Sequence, residues 1–132
     1  MMNSNINKIN ESDWHDWEFE EIKIDYSNVT IVIESSSTNK TVVNIICKNH
    51  IGFDYIGHWD EAVIEDINID TEGDLIEKSL SKIKSNYGDQ PNTIGNERDF
   101  QGEWLQVNIQ LIDGVTIKVV CQDVDTLILN YN

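Results

Sequence analysis

The chain has little of what marks secreted, membrane-spanning or nucleic-acid-binding proteins. It holds one proline, Pro91, and only nine Lys and Arg residues among 132. No window approaches the roughly 20 apolar residues that a membrane helix needs. Residues 1–6 lack the basic and apolar regions of a signal peptide. Scarce Lys and Arg also argue against binding to nucleic acid or anionic lipid. These absences favour a cytoplasmic protein with no membrane and no nucleic-acid partner.

Cysteine is scarce as well. Cys47 and Cys121 each lie in an apolar, strand-like run of residues, 42–47 and 115–121. The two runs can be neighbours in a sheet, but buried free thiols suit a cytoplasmic protein better than a disulfide does. A thiol in apolar surroundings is inert, so neither cysteine is predicted to be a nucleophile.

Acidic residues are the abundant component, and they are unevenly distributed. The formal net charge is −15. Residues 11–25 carry seven acids against one lysine, and residues 49–77 carry nine acids and no Lys or Arg. Such self-repulsion destabilises a compact state, so it serves solubility or complements a partner of opposite charge. If the two stretches meet in the fold, they form one acidic surface.

Apolar periodicity predicts a β-rich α+β fold. Period-two alternation indicates about seven mostly antiparallel strands, in the ranges 17–26, 29–33, 41–48, 62–69, 105–111, 115–121 and 126–129. Gly52 and Gly57 suggest a bulge or a tight bend after the third strand. Asp113-Gly114 predicts a two-residue hairpin turn.

One amphipathic helix is predicted at about 73–87, where apolar residues recur at helical spacing. This helix packs on an antiparallel sheet, or the strands form a small two-sheet sandwich. The whole chain, 1–132, is interpreted as a single domain whose polar, Asn-rich residues 1–12 are frayed.

Two clusters with similar composition stand out, Trp14-His15-Asp16-Trp17 and His58-Trp59-Asp60-Glu61. His15, Asp16, His58 and Asp60 are chemically suitable metal ligands, although their spacing matches no known ligand pattern. Each His–carboxylate pair could act as a general acid or base, with His50 nearby, although no nucleophile or oxyanion device accompanies them. In the simplest interpretation, the tryptophans are structural anchors and the acids are solvated.

A further interpretation is a protein-binding patch, in which aromatic anchors lie within an acidic field that steers a basic partner. The candidate binding residues are Trp14, His15, Asp16, Trp17, Asp54, Tyr55, His58, Trp59, Asp60 and Glu61. No catalytic residue, metal ligand or cofactor is assigned.

The segment Trp14-His15-Asp16-Trp17-Glu18-Phe19, followed by a strand–turn–strand pattern over 22–33, resembles the start of the YxiG-like small acidic bacterial proteins. Gly57-His58-Trp59-Asp60 and the Asp113-Gly114 turn are compatible with that resemblance, which is centred on the N-terminal third of the chain. The resemblance implies an association with toxin–immunity loci, where a small cytoplasmic protein neutralises a toxin by binding it.

The sequence therefore predicts a non-enzymatic, acidic protein-binding module. Its expected partner is a basic protein, such as a toxin domain, and the resemblance implies an immunity protein. The alternatives are a metal-dependent or His/Asp-based hydrolase and a plain small-ligand-binding domain.

Overall fold

The computed structural model describes residues 4–35, 40–57, 62–87 and 102–130. Within these ranges the chain forms eight strands and two helices. The helices are α1 (Ser4–Glu11) and α2 (Asp74–Tyr87). The strands are β1 (Glu18–Ile24), β2 (Asn28–Glu34), β3 (Thr41–Lys48), β4 (Gly52–Ile56), β5 (Ile64–Asp70), β6 (Leu105–Leu111), β7 (Thr116–Cys121) and β8 (Asp123–Asn130).

The described strands form two four-stranded antiparallel sheets. Sheet A has the order β1-β2-β3-β8, and sheet B has the order β4-β7-β6-β5. Because side chains alternate along a strand, each sheet directs one row of Val, Ile, Leu and Cys side chains toward the other sheet. These rows form the main core, which includes Ile31, Ile45, Ile109 and Ile117 at 1% exposure or less.

Helix α2 packs on the opposite face of sheet B and forms a second, smaller core. Leu75 and Ile76 of the helix meet Trp104 and Val120 there. Gly52 permits the close approach of α2 to β4, because a Cβ at this position would overlap the Ser79 hydroxyl. The layers are therefore sheet A, sheet B and α2.

The α+β, β-rich class is confirmed, and two details differ from the prediction. Within the described ranges there are eight strands rather than about seven, because residues 52–56 form β4. The predicted bend does occur at Gly57, whose φ is +127°. Residues 4–11, expected to be frayed, form α1, and its Ile6 and Ile9 are buried in the main core.

Both helices are short. Among the described residues, no helix is long and apolar enough to cross a membrane.

Candidate functional site: an acidic seam between the sheets

The first aromatic cluster forms a tight turn that fastens α1 to the core. Trp14 is only 7% exposed, and its indole Nε1–H donates to the Ile9 carbonyl oxygen at 2.8 Å. Its ring lies 5.1 Å from the ring of the half-buried Trp17 at an interplanar angle of 70°, which is a favourable edge-to-face contact. Trp14 therefore has a structural role in this fold and offers little surface to a partner, whereas Trp17 is partly accessible.

His15 and Asp16 lie at the tip of the same turn. Asp16 has a φ of +72°, a left-handed conformation that Asp tolerates in turns. His15 Nδ1 lies 3.3 Å from Asp16 Oδ2, and the side chains are 59% and 66% exposed. An exposed pair of this kind contributes little to stability. Its solvated carboxylate is available to a partner.

Three backbone hydrogen bonds join the two acidic stretches. The N–H of Asp16 donates to the Ile64 carbonyl at 3.0 Å, and the N–H of Ile64 donates to the Trp17 carbonyl at 2.7 Å. The N–H of Phe19 donates to the Ala62 carbonyl at 2.6 Å. The start of β1 is thereby fixed against the start of β5, so the structure brings the stretches 11–25 and 49–77 together. We call this junction the acidic seam and define it by the exposed acids Asp16, Glu18, Glu20, Glu65 and Asp66.

Two β-bulges add acids to the seam. In β1 the pairing with β2 shifts between Phe19 and Glu21, which leaves Glu20 as the extra residue. In β5 the pairing with β6 shifts between Ile64 and Asp66, which leaves Glu65 as the extra residue. A bulge redirects the inserted side chain. As a result β5 keeps its three isoleucines buried and β1 keeps Phe19 buried, while each strand exposes two consecutive acids.

An open cleft of about 430 Å³ lies on the seam. It is lined by Glu18, Phe19, Glu20, Ala62 and Val63. Its lining combines apolar surface from Ala62 and Val63 with the carboxylates of Glu18 and Glu20. This combination suits a Lys or Arg side chain, which buries an aliphatic stem and keeps its cationic end near acids or water.

Like charges crowd one side of the cleft. One carboxylate oxygen from each of Glu18, Glu20 and Glu34 lies within 4.8 Å of the other two. The hydrogen bond between Glu20 and Glu34 raises the pKa of Glu20, and desolvation and the charges of Glu34 and Glu18 add to the effect. Lys40 Nζ compensates in part, 3.2 Å from Glu34 Oε1. The uncompensated negative charge favours the approach of a further cation.

The remaining predicted binding residues do not all join the seam. Asp54 and Tyr55 lie on β4, at the opposite edge of sheet B from β5. Asp54 lies opposite Lys118 in the β4–β7 register and is half-buried. Tyr55 is 37% exposed. His58, Trp59, Asp60 and Glu61 lie outside the described residues, and two of them, His58 and Asp60, are candidate metal ligands.

His50, the third imidazole considered for acid–base chemistry, has a structural contact. Its Nε2–H donates to the Asp25 carbonyl at 2.6 Å, and its backbone N–H donates to the Ser27 carbonyl at 3.3 Å. These bonds hold the residues after β3 against the β1–β2 turn. They give His50 a position away from the His15–Asp16 turn.

Sequence reasoning missed Glu18, Glu20, Glu65 and Asp66 as site residues, although a signal for the last three is present. Alternation in Phe19-Glu20-Glu21-Ile22 and in Ile64-Glu65-Asp66-Ile67 breaks at a pair of acids. Two polar residues between apolar ones in a strand are what an inserted bulge residue produces. The position of Glu18 beside Val63 depends on a bridge between the sheets, which local sequence does not encode.

The fold and the seam define an antiparallel two-sheet protein with a docked helix and a cleft lined in part by acids. No protein-family model, curated protein or solved structure matches the chain.

Proposed function

We propose that the protein is a non-enzymatic binding module whose acidic seam receives a basic protein partner. The observation that carries this proposal is the cleft of about 430 Å³ at the seam, which is lined by both apolar residues and two glutamates. Electrostatic complementarity accelerates association and selects among partners. A Lys or Arg of the partner would enter the cleft, with the partly accessible Trp17 close by.

The charge distribution supports a partner of opposite sign. Glu18 lies directly opposite Glu34 in the β1–β2 pair, an arrangement that destabilises a sheet. A bound cation would relieve this repulsion, so part of the binding free energy would come from strain already present in the free protein. The resemblance to YxiG-like proteins suggests a toxin domain as the partner, with the chain acting as its immunity protein.

The direct test measures binding to the products of the adjacent genes by isothermal titration calorimetry. We expect a basic product to bind, with an affinity that falls at least tenfold between ~50 mM and ~0.5 M salt, because the Debye length then shrinks to a few Å. Lysozyme serves as an unrelated basic protein and is expected to bind far more weakly. The proposal would be contradicted if none of the adjacent gene products bound, or if the affinity did not depend on salt concentration.

Matched charge variants separate the seam from the overall charge. The double variant Glu20→Gln/Glu65→Gln removes two acids from the seam. Glu72→Gln/Glu77→Gln removes two exposed acids from the start of α2 and the residues before it. We expect the first pair to weaken binding about tenfold or more and the second pair to weaken it far less. Equal losses would mean that net charge, and not the seam, attracts the partner.

A further inference from the structure

The two cysteines meet in the main core although they belong to different sheets. Cys47 lies in β3 of sheet A, and Cys121 is the last residue of β7 in sheet B. Both are free thiols with 0% exposure. Both belong to the same buried cluster of the main core, and the Cys47 thiol is the largest influence on the pKa of the Cys121 thiol.

The path of the chain explains why they are so close. Packed sheets lie about 10 Å apart, whereas a disulfide needs Cα atoms about 4.4–6.8 Å apart. After Cys121 the chain passes from sheet B to sheet A, and the N–H of Gln122 donates to the Lys48 carbonyl at 2.9 Å. Cys47 itself pairs with Val124. The sheets therefore converge at this crossing. Cys47 directly precedes Lys48, and Cys121 directly precedes Gln122, the two residues that this hydrogen bond joins.

We propose that Cys47 and Cys121 form an inter-sheet disulfide when the chain folds in the presence of a small-molecule disulfide. One cysteine thiolate attacks a sulfur of glutathione disulfide, forms a mixed disulfide and releases one glutathione thiolate. The other cysteine thiolate then attacks the protein sulfur of that mixed disulfide and releases the second glutathione. The protein loses two protons and two electrons, and the oxidant becomes two molecules of glutathione.

Oxidation should occur during folding rather than in the native state. The hydrogen bond with Cys47, followed by burial, raises the pKa of the Cys121 thiol well above its ordinary value. Because the thiolate is the attacking species, the folded pair reacts slowly. An unfolded or partly folded chain exposes both thiols, and native packing then brings the sulfurs together and buries the new bond.

The cross-link would stabilise the fold by constraining the unfolded chain. It joins residues 47 and 121, which encloses more than half of the sequence, and long loops gain the most in the chain-entropy model. We expect Tm to rise by on the order of 10 °C on oxidation. The increase should be lost after unfolding in dithiothreitol and refolding.

The test refolds the full chain from denaturant with either glutathione disulfide or dithiothreitol. After oxidative refolding, we expect a monomer whose mass is lower by two hydrogen atoms. A non-reducing digest should contain a peptide that links Cys47 to Cys121, and the higher Tm should accompany it. Free thiols, glutathione adducts alone or cross-linked dimers after this treatment would each overturn the proposal.

Cys47→Ala is the matched control, compared with itself under the two refolding conditions. We expect no intramolecular cross-link and no difference in Tm between its oxidised and reduced preparations. An equal Tm increase in this variant would show that the stabilisation does not come from the disulfide. Because wild type is compared in two redox states, the test does not depend on the variant folding well.

Discussion

The side-chain oxygen of Gln106 accepts a hydrogen bond from the backbone N–H of Leu75 at 3.1 Å. The same Oε1 lies 3.4 Å from the N–H of Ile76. Gln106 is a buried residue of β6, 3% exposed, on the face of sheet B that α2 covers. The first N–H groups of a helix have no partner within the helix. A side chain of the sheet therefore caps the first turn of α2, together with Asp74 Oδ1, which accepts from Leu75 N–H at 2.9 Å.

Replacing this capping side chain should destabilise the protein. Gln106→Leu keeps a similar volume but removes the Gln106 acceptor of both N–H groups and the donor to Asn108 Oδ1 at 2.8 Å. Leu75 N–H then keeps only the adjacent Asp74 Oδ1 at 2.9 Å. We expect a loss of about 1–3 kcal/mol in the free energy of unfolding, measured by urea denaturation. Gln110→Leu, at an exposed position of the same strand, should change it by about 0.5 kcal/mol or less. Equal losses would contradict the cap.

Gly73 and Gln106 should be energetically coupled. A Cβ at Gly73 would collide with the Gln106 side-chain amide, so Gly73→Ala should push that amide away from the N–H groups that it caps. We expect the substitution to destabilise wild type by about 1–2 kcal/mol and to cost much less in the Gln106→Leu background. A double-mutant cycle by urea denaturation measures the difference. Additive effects would show that the glycine is needed for another reason.

Trp14 should matter for stability more than for binding. Trp14→Phe keeps an aromatic ring but removes the donor to the Ile9 carbonyl at 2.8 Å, so we expect a loss of about 1 kcal/mol in the free energy of unfolding. Trp14→Ala should cost about 3–5 kcal/mol. Partner affinity of the folded Trp14→Phe variant should stay close to that of wild type. A large affinity loss with unchanged stability would instead make Trp14 a contact residue.

Local sequence predicts best those elements whose turn chemistry and periodicity agree. The β6–β7 hairpin is an example, because Leu111 N–H donates to the Val115 carbonyl and Gly114 takes a positive φ of 93°. The turn itself holds three residues, 112–114, rather than the predicted two, since Leu111 lies opposite Val115. Helix α1 was missed because its polar sequence offers few apolar residues. Its buried face is stabilised by Trp14 and by Asn10, whose side chain bonds both backbone groups of Ile69. Tertiary contacts of this kind outweigh local propensity.

Alternation also shows which face of a strand is buried without showing which sheet the strand joins. Asp54 and Asp16 lie in the two acidic stretches. Among the described residues of 49–77, however, the backbone bonds to the Trp14–Trp17 turn come from Ile64 in β5 and not from β4. Strand β4 runs along the far edge of sheet B. The charge pattern therefore predicted an acidic surface, while the pairing of β1 with the start of β5 determined which acids form it.

Glu20 should give the protein a distinctive pH dependence. Its pKa is raised above the ordinary value of 4.5, mainly by the hydrogen bond with Glu34. The native state therefore binds this proton more tightly than the unfolded state, and stability should increase as pH falls from 7 through the raised pKa toward 4.5. Asp25 and Asp74 have the opposite effect, because their pKa values are lowered from 3.8 by hydrogen bonds with Asn28 and Lys118 respectively. Their contribution is lost only as pH falls below that value.

Urea denaturation between pH 4.5 and 7 separates Glu20 from the general effect of negative charge. Glu20→Gln should be more stable than wild type at pH 7 and should gain less stability on acidification. Glu21→Gln removes the same charge from the same strand, but Glu21 is 3.4 Å from Lys23 Nζ. It should retain the wild-type pH dependence. If both variants reduce the pH dependence of the unfolding free energy equally, the net charge governs stabilisation by acid. The Glu20–Glu34 pair would then contribute no local repulsion for a basic partner to relieve.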